Sequence, residues 1–208
     1  MLLAVTALSF LLASCSGQNK KEAIGQKVYD FPANLDKAQI KTSSFPYVGF
    51  RLNALAKDQS AQVILNDRES VKFGAEFTIR NEKRKVLYAP PFSEILFEKV
   101  LVPKNAVLHF GIAIHPDAWS KRGDGVSFEV SVLSGKTKDP KTMIFAKYID
   151  PKNRGPDRRW LDYDVDLSDF AGQSVSFIFA TDAGPGNDSR NDWAGWSDLQ
   201  IALRPNQQ

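Results

Sequence analysis

The sequence predicts an all-β fold, an antiparallel β-sandwich or jelly roll. Three features indicate it: large apolar residues alternate with small or polar ones, turn residues separate the alternating runs, and helical periodicity is almost missing. Strict alternation places one face of a strand on a core and the other toward water. With 43% hydrophobic and 25% charged residues, the chain has the composition of a globular protein with a sizeable core.

The candidate strands follow one another along the chain. In the first half they are 45–55, 63–65, 71–79, 85–88 and, after Pro90-Pro91, 95–102. In the second half they are 107–115, 126–132, 161–167, 175–180 and 199–203. Turn-forming Gly, Pro and Asn residues separate most of these runs. Two sandwiches of about 80 residues each could hold the strands, but one larger domain is simpler because early strands can complete sheets begun later.

One dense basic run, Arg80-Asn81-Glu82-Lys83-Arg84-Lys85, stands between two strand-like segments. Neither a helix nor interleaved aromatic residues accompany it, so we interpret it as a solvated hairpin turn rather than a nucleic-acid patch. The net charge of +3 is spread along the chain. We therefore expect no nucleic-acid partner.

The chain begins MLLAVTALSFLLASC, an uncharged apolar run. A membrane-spanning helix needs about 20 apolar residues, and this shorter run fits the apolar region of a secretory signal. Leu12-Ala13-Ser14-Cys15 resembles a bacterial lipobox, although the family's Lys or Arg near the start is missing, which leaves an upstream start or an atypical signal. The resemblance implies cleavage before Cys15, a diacylglycerol on its sulfur and an acyl chain on the new amine. Cys15 is also the only cysteine among 208 residues.

These features predict a three-part organisation. Residues 1–14 form a lipoprotein signal peptide, residues 15–28 a lipidated cysteine and polar tether, and residues 29–208 the β-sandwich. Ser16 stands where an Asp would retain a Gram-negative lipoprotein at the inner membrane, so the resemblance implies a bacterial envelope protein anchored in the outer membrane. Several acyl chains give durable attachment, because each buried CH₂ contributes about 0.8 kcal/mol.

Two further motifs carry a resemblance of their own. They are Asp166-Leu167-Ser168, followed by Ala171-Gly172-Gln173, and Asp192-Trp193-Ala194-Gly195-Trp196. With the surrounding strands they resemble the galactose-binding-like β-sandwich of carbohydrate-binding modules, including the NPCBM type appended to bacterial glycosidases, sulfatases and envelope glycosyltransferases. The resemblance is best supported over residues 86–203. It implies the jelly-roll fold more firmly than a ligand, because folds of this class host many functions.

The polar segment 181–198, TDAGPGNDSRNDWAGWSD, is the candidate binding loop. Sugar recognition needs a flat apolar surface for the pyranose ring and planar polar groups for its hydroxyls. The residues that could supply these are Asp182, Asn187, Asp188, Asn191, Asp192, Trp193 and Trp196. Two alternatives stay open: one or both indoles could plug the end of the core, and the dense oxygens could hold structural calcium, although their spacing differs from the EF-hand pattern. No other cofactor is expected.

Other polar and aromatic residues receive structural interpretations. We expect Trp119 and Trp160 to cap the core, with Arg158 or Arg159 against Trp160 as a cation–π pair. Alternate strand residues lie about 6.6 Å apart, so the Asp residues at 162, 164 and 166 predict a solvated face rather than a metal site. The His residues at 109 and 115 lie about 20 Å apart on the same reasoning, and we interpret both as separate surface or edge residues.

No catalytic signature is present: the sequence has no Gly-x-Ser-x-Gly elbow, His-Glu-x-x-His or phosphate loop. The leading expectation is therefore a non-catalytic, lipid-anchored envelope protein that recognises a glycan or another surface partner through the end loops of its sandwich. The second is a structural or assembly lipoprotein without a small-molecule ligand. The third is a small glycan-active enzyme, because a glycosidase needs only two suitably spaced carboxylates, which sequence does not reveal.

Overall fold

The computed structural model describes residues 25–43, 63–65, 70–135 and 140–204. The predicted signal peptide, Cys15, most of the tether and the candidate strand 45–55 lie outside these residues. Among the described residues, no helix is long and apolar enough to cross a membrane.

The described residues form twelve strands joined by turns and four short 3-10 helices, which confirms the all-β prediction. The 3-10 helices are Pro32–Lys37, Pro116–Ala118, Gly155–Asp157 and Ser168–Phe170. The strands are β1 (Lys27–Asp30), β2 (Gln39–Ser43), β3 (Val63–Leu65), β4 (Lys72–Ile79), β5 (Glu82–Tyr88), β6 (Ser93–Leu101), β7 (Ala106–Ile114), β8 (Val126–Leu133), β9 (Lys141–Ile149), β10 (Leu161–Asp166), β11 (Ser174–Ala183) and β12 (Ala194–Leu203).

The strands build two antiparallel sheets. Sheet A has the order β10-β7-β12-β5-β4, with β1 also paired to β12, and sheet B has the order β3-β2-β6-β11-β8-β9. The first strand thus pairs with the last, and β2 pairs with β6. Strands from the first part of the chain therefore contribute to both sheets, β1, β4 and β5 to sheet A and β2 and β3 to sheet B.

The core lies between the sheets and follows the predicted alternation. In β7 the even-numbered residues Leu108 to Ile114 point into it, as do those of β8 from Val126 to Val132. Trp196 of β12 lies at the centre, fully buried. Its ring makes edge contacts with Phe110 of sheet A, at 5.4 Å, and with Phe128 and Phe179 of sheet B, at 5.0 and 5.5 Å between centroids.

A second cluster covers the outer face of sheet A. Phe77, Val86 and Trp160 pack there with Ile79 and Ala113. Two glycines make room for it: a Cβ on Gly195 would lie 2.7 Å from the Phe77 ring, and one on Gly111 would lie 2.5 Å from Ser197 Oγ and 2.7 Å from Arg84 Nη1. The outer face of this sheet is therefore a packed layer.

Arg84 corrects the interpretation of the basic run. The two-residue turn Arg80-Asn81, with φ of 50° and 67°, joins β4 and β5, so the hairpin prediction is confirmed. Arg84, however, is not solvated: its side chain is 8% exposed, forms a bidentate pair with Asp162 and lies 4.7 Å over the Trp160 ring. Arg84, rather than Arg158 or Arg159, is the cation on Trp160, and Arg158 lies 5.9 Å over Trp119 instead.

The neighbouring polar residues also differ from expectation. His109 was expected at the surface, but β7 is flanked by β10 and β12, and the His109 ring is buried. Its Nδ1 lies 2.7 Å from an Asp164 oxygen. The aspartates of β10 therefore form an ion-paired face rather than a simply solvated one: Asp162 pairs with Arg84, and Asp166 lies 3.1 Å from Arg204.

Candidate functional site

The candidate loop is shorter than the sequence predicted. Strand β11 continues to Ala183 and β12 begins at Ala194, five residues before the predicted start at 199. Asp182 and Trp196 are therefore strand residues, and only residues 184–193 connect the strands. The loop lies beside residues 122–125, because Asp124 accepts hydrogen bonds from the backbone N–H groups of Gly184 and Gly186.

Trp196 does not belong to a ligand surface. Its side chain is fully buried between the two sheets, and the expectation that it stacks on a sugar is wrong for this physical reason. Trp196 instead fits the alternative interpretation, in which one indole fills the core. Its buried Nε1–H has no hydrogen-bond partner among the described residues, so the ring contributes there through packing.

Asp192 is also a structural residue. Its carboxylate and the ammonium of Lys152 form an ion pair whose side chains are 0% and 4% exposed. Lys152 also lies 3.3 Å from the carbonyl oxygens of Arg122 and Arg190, so the pair ties three loops together. Burial raises the pKa of Asp192 to about 6, and the nearby Lys152 opposes that increase. A Cβ at Gly123 would collide with the ammonium, which explains the glycine there.

The remaining predicted polar residues serve the loop itself. Asp188 is bound by the guanidinium of Arg190 at 2.6 and 2.7 Å, which lowers the pKa of Asp188 to about 2. Asp182 is half-buried, and burial raises its pKa to about 6, helped by Glu129 and Asp124. Asn187 is exposed with φ of 54°. Asn191 donates from its side chain to the Arg122 carbonyl at 3.1 Å.

Trp193 is the predicted residue that keeps an accessible aromatic surface. It is partly exposed, and its carbonyl accepts a hydrogen bond of 2.9 Å from the His115 N–H. The two rings are 5.8 Å apart, and the Lys121 ammonium lies 4.2 Å above the indole. Trp119, partly exposed as well, donates its Nε1–H to the Ile114 carbonyl at 2.9 Å. We call His115, Trp119, Lys121 and Trp193 the aromatic patch.

Rigid backbone holds this patch at one end of sheet A. Strand β7 ends at Ile114, and Pro116 begins a 3-10 helix whose fixed φ suits a first helical position. The N–H of Asp117 donates to His115 Nδ1 at 3.2 Å, and Trp119 N–H bonds the Pro116 carbonyl at 3.0 Å. Sequence reasoning interpreted His115 as a surface or edge residue and Trp119 as a core cap, and it did not consider Lys121. The β7–β12 pairing brings His115 and Lys121 to the Trp193 ring.

The patch presents an aromatic face bordered by hydrogen-bonding groups. The Trp193 indole face attracts the Lys121 ammonium because an aromatic face is electron-rich. The C–H face of a pyranose can pack on such a face for the same reason. His115, Asp117 and Lys121 place hydrogen-bonding groups around it. Among the described residues, no three His, Cys, Asp or Glu side chains converge as a metal site would require.

Fold and patch together define an all-β protein of two packed antiparallel sheets with an aromatic rim. An uncharacterized protein of Archaeoglobus fulgidus is 42% identical over 149 residues, which cover 71% of this chain and 35% of that protein. The chain thus spans about a third of the length of the curated relative it matches. No protein-family model matches the chain.

Solved carbohydrate-binding modules are among the structural neighbours. One is the CBM51 module from Clostridium perfringens GH95 in complex with methyl-galactose, with a TM-score of 0.44, 14% identity, and coverage of 64% of this chain and 81% of that one. Another is the C-terminal CBM6 of LamC from Zobellia galactanivorans, with a TM-score of 0.33, 12% identity, and coverage of 80% and 99%.

Proposed function

We propose that this protein is a lipid-anchored, non-catalytic component of the cell envelope that binds glycan through the aromatic patch. The observation that carries the proposal is Trp193, a partly exposed indole at the rim of the sandwich. Its backbone is fixed by the hydrogen bond to His115, so the ring is presented without a large ordering cost.

A sugar and the Lys121 ammonium would compete for the Trp193 face with similar interaction free energies. An exposed cation–π contact contributes about 0.5–1 kcal/mol, and an aromatic contact about 0.5–1.5 kcal/mol beyond the area it buries. Lys121 is exposed, so its ammonium can move aside and donate to a sugar hydroxyl. Stacking plus that new hydrogen bond favours the bound state.

The test is a binding screen of the full chain against neutral and charged oligosaccharides. Trp193→Ala should weaken binding of any sugar found there by at least about tenfold, the equivalent of about 1.4 kcal/mol, and a melting curve checks that the variant is folded. Asn187→Gly is the matched control, because Asn187 is exposed on the same loop with a positive φ that glycine accepts. Unchanged affinity in Trp193→Ala would refute the patch as the binding site.

Membrane attachment is part of the proposal and depends on Cys15. The lipobox resemblance of Leu12 to Cys15 supports it, as does the lack of any second cysteine in the chain. Cys15→Ser should abolish incorporation of labelled fatty acid and release the protein from the membrane fraction. Undiminished labelling would contradict the anchor, and outer-membrane fractionation tests the location.

A structural or assembly role is the second candidate, and one observation favours it. Two of the seven candidate ligand-binding residues, Asp192 and Trp196, are buried and serve the structure instead. A chain without affinity for any sugar, but needed for assembly of an envelope complex, would support this candidate. Turnover of an oligosaccharide, lost on removal of one carboxylate, would instead show an enzyme.

A further inference from the structure

A cleft of about 300 Å³ opens beside β12, away from the aromatic patch. Strand β5 pairs with residues 195–197 of β12 and β1 pairs with residues 200–202. Between them Asp198 has φ of 51°, and the pairing of β12 with β7 shifts register. The β4–β5 hairpin forms one wall of the cleft, and β1 with Pro32 contributes to the other.

The hairpin wall carries an aromatic ring and two ammonium groups. Lys83 and Lys85 lie on the same face of β5 as the core residue Leu87, because side chains alternate along a strand. Both lysines are exposed. Phe73 is paired directly with Leu87 across the hairpin and is 46% exposed, one of few large apolar side chains in the described residues that face solvent.

Most of the cations that line the cleft already have carboxylate partners among the described residues, and Arg84 has three of them, Glu82, Asp162 and Asp198. Asp30 is bound by Lys27 at 2.6 Å, and Asp198 lies 3.3 Å from Arg84, so both lining carboxylates are already engaged. Lys83 pairs with Glu76, and exposed pairs of this kind contribute about 1 kcal/mol or less. The Lys85 side chain differs from these, because its ammonium has no ion pair or hydrogen bond among the described residues. Lys85 is therefore the lining cation that can meet an anionic group of a ligand.

We propose that this cleft binds one anionic sugar residue, a pyranose that carries a carboxylate or a sulfate. The ring packs on Phe73, the oxyanion meets Lys85 with help from Lys83, and the Gln200 amide is available to the hydroxyls. A volume near the lower end of the range of small-molecule sites, about 300–1,000 Å³, suits a single sugar unit. The cleft shares no residue with the aromatic patch, so this inference does not rest on the proposed function.

Calorimetric titration of the full chain tests the cleft with three tetrasaccharides. One alternates glucuronate with N-acetylglucosamine, the second is its O-sulfated form, and the third is neutral N-acetylglucosamine tetramer. We expect one or both anionic probes to bind, with affinity that falls as salt is added, and the neutral probe not to bind through this cleft. The two anionic probes distinguish carboxylate from sulfate recognition.

Variants of the lining residues test whether the anionic probe binds in the cleft. Lys85→Gln and Phe73→Ala should each weaken binding of the anionic probe about tenfold, whereas Lys147→Gln, on the edge strand of sheet B, should leave it unchanged. Both cleft residues are exposed, so the variants should fold, and melting curves check this. No binding of either anionic probe, equal binding of the neutral probe to the same residues, or full affinity in Lys85→Gln would overturn the proposal.

Discussion

Replacing Trp196 by alanine and by phenylalanine should give very different losses of stability. The alanine variant removes a fully buried indole and its contacts with Phe110, Phe128 and Phe179, at 5.0 to 5.5 Å. Truncation of a buried Trp costs about 3–5 kcal/mol, and the partners here come from both sheets, so little collapse can fill the cavity. We expect a loss near the upper end of that range, about 4 kcal/mol.

The phenylalanine variant should lose much less. Phenylalanine keeps a ring between the sheets and removes the buried Nε1–H. That group has no hydrogen-bond partner in the described part of the chain and carries a desolvation penalty of about 1–3 kcal/mol. That gain offsets most of the smaller packing loss, so the net change should be about 1 kcal/mol or less. Urea unfolding followed by circular dichroism measures both values. A loss below about 1 kcal/mol for alanine, or equal losses for the two variants, would refute the packing argument.

Two further predictions follow from the described contacts. Because the pKa of Asp192 is raised from 3.8 to about 6, its contribution to stability is complete below about pH 4 and is lost as the pH rises to about 6. The free energy of unfolding should therefore fall as the pH rises over that window, and Asp192→Asn should reduce the slope. Half-buried Asp182, whose pKa is also raised to about 6, should account for the remaining slope. An unaltered slope in urea titrations would contradict this assignment. Gly111→Ala should lower the free energy of unfolding by about 1–3 kcal/mol, because its Cβ would lie 2.5 Å from Ser197 Oγ. Gly135→Ala is the control and should change the melting temperature little, because no described atom lies within 4 Å of its Cβ position. Similar melting curves for the two variants would show that the outer layer of sheet A rearranges to accept the methyl group.

The strands could be predicted from the sequence because alternation is a local property. In β7, each residue's face follows from its own neighbours, and the even-numbered residues Leu108 to Ile114 are all in the core. The buried state of Arg84 could not be predicted in this way. It depends on Gly111 and Asp162, which lie on two other strands and come into register with it only when sheet A is assembled.

The same limit of sequence-based prediction applies to the two indoles of the candidate loop, Trp193 and Trp196. Ala194 lies opposite Ile114 and Trp196 opposite Ile112, so even-numbered residues of β12 face the core at this end. Trp193 has the opposite parity and lies beside His115 at the rim. Residues three apart along an extended strand lie on opposite faces, as Trp193 and Trp196 do. Only the register between β7 and β12 decides which of the two indoles is buried.

The outer layer of sheet A explains how the cationic wall of the cleft is held in place. The ladder between β5 and β12 extends over three residue pairs, from Gly195 with Tyr88 to Ser197 with Val86. Within the described ranges, no other strand pairs with that edge of the β4–β5 hairpin. Side chains supply the missing attachment, because Arg84 pairs with Asp162 of β10 and the Trp160 Nε1–H donates to the Glu82 carbonyl at 3.3 Å. These contacts fix one face of the hairpin to the protein. The opposite face, which bears the exposed lysines and Phe73, is thereby presented to solvent in a defined position.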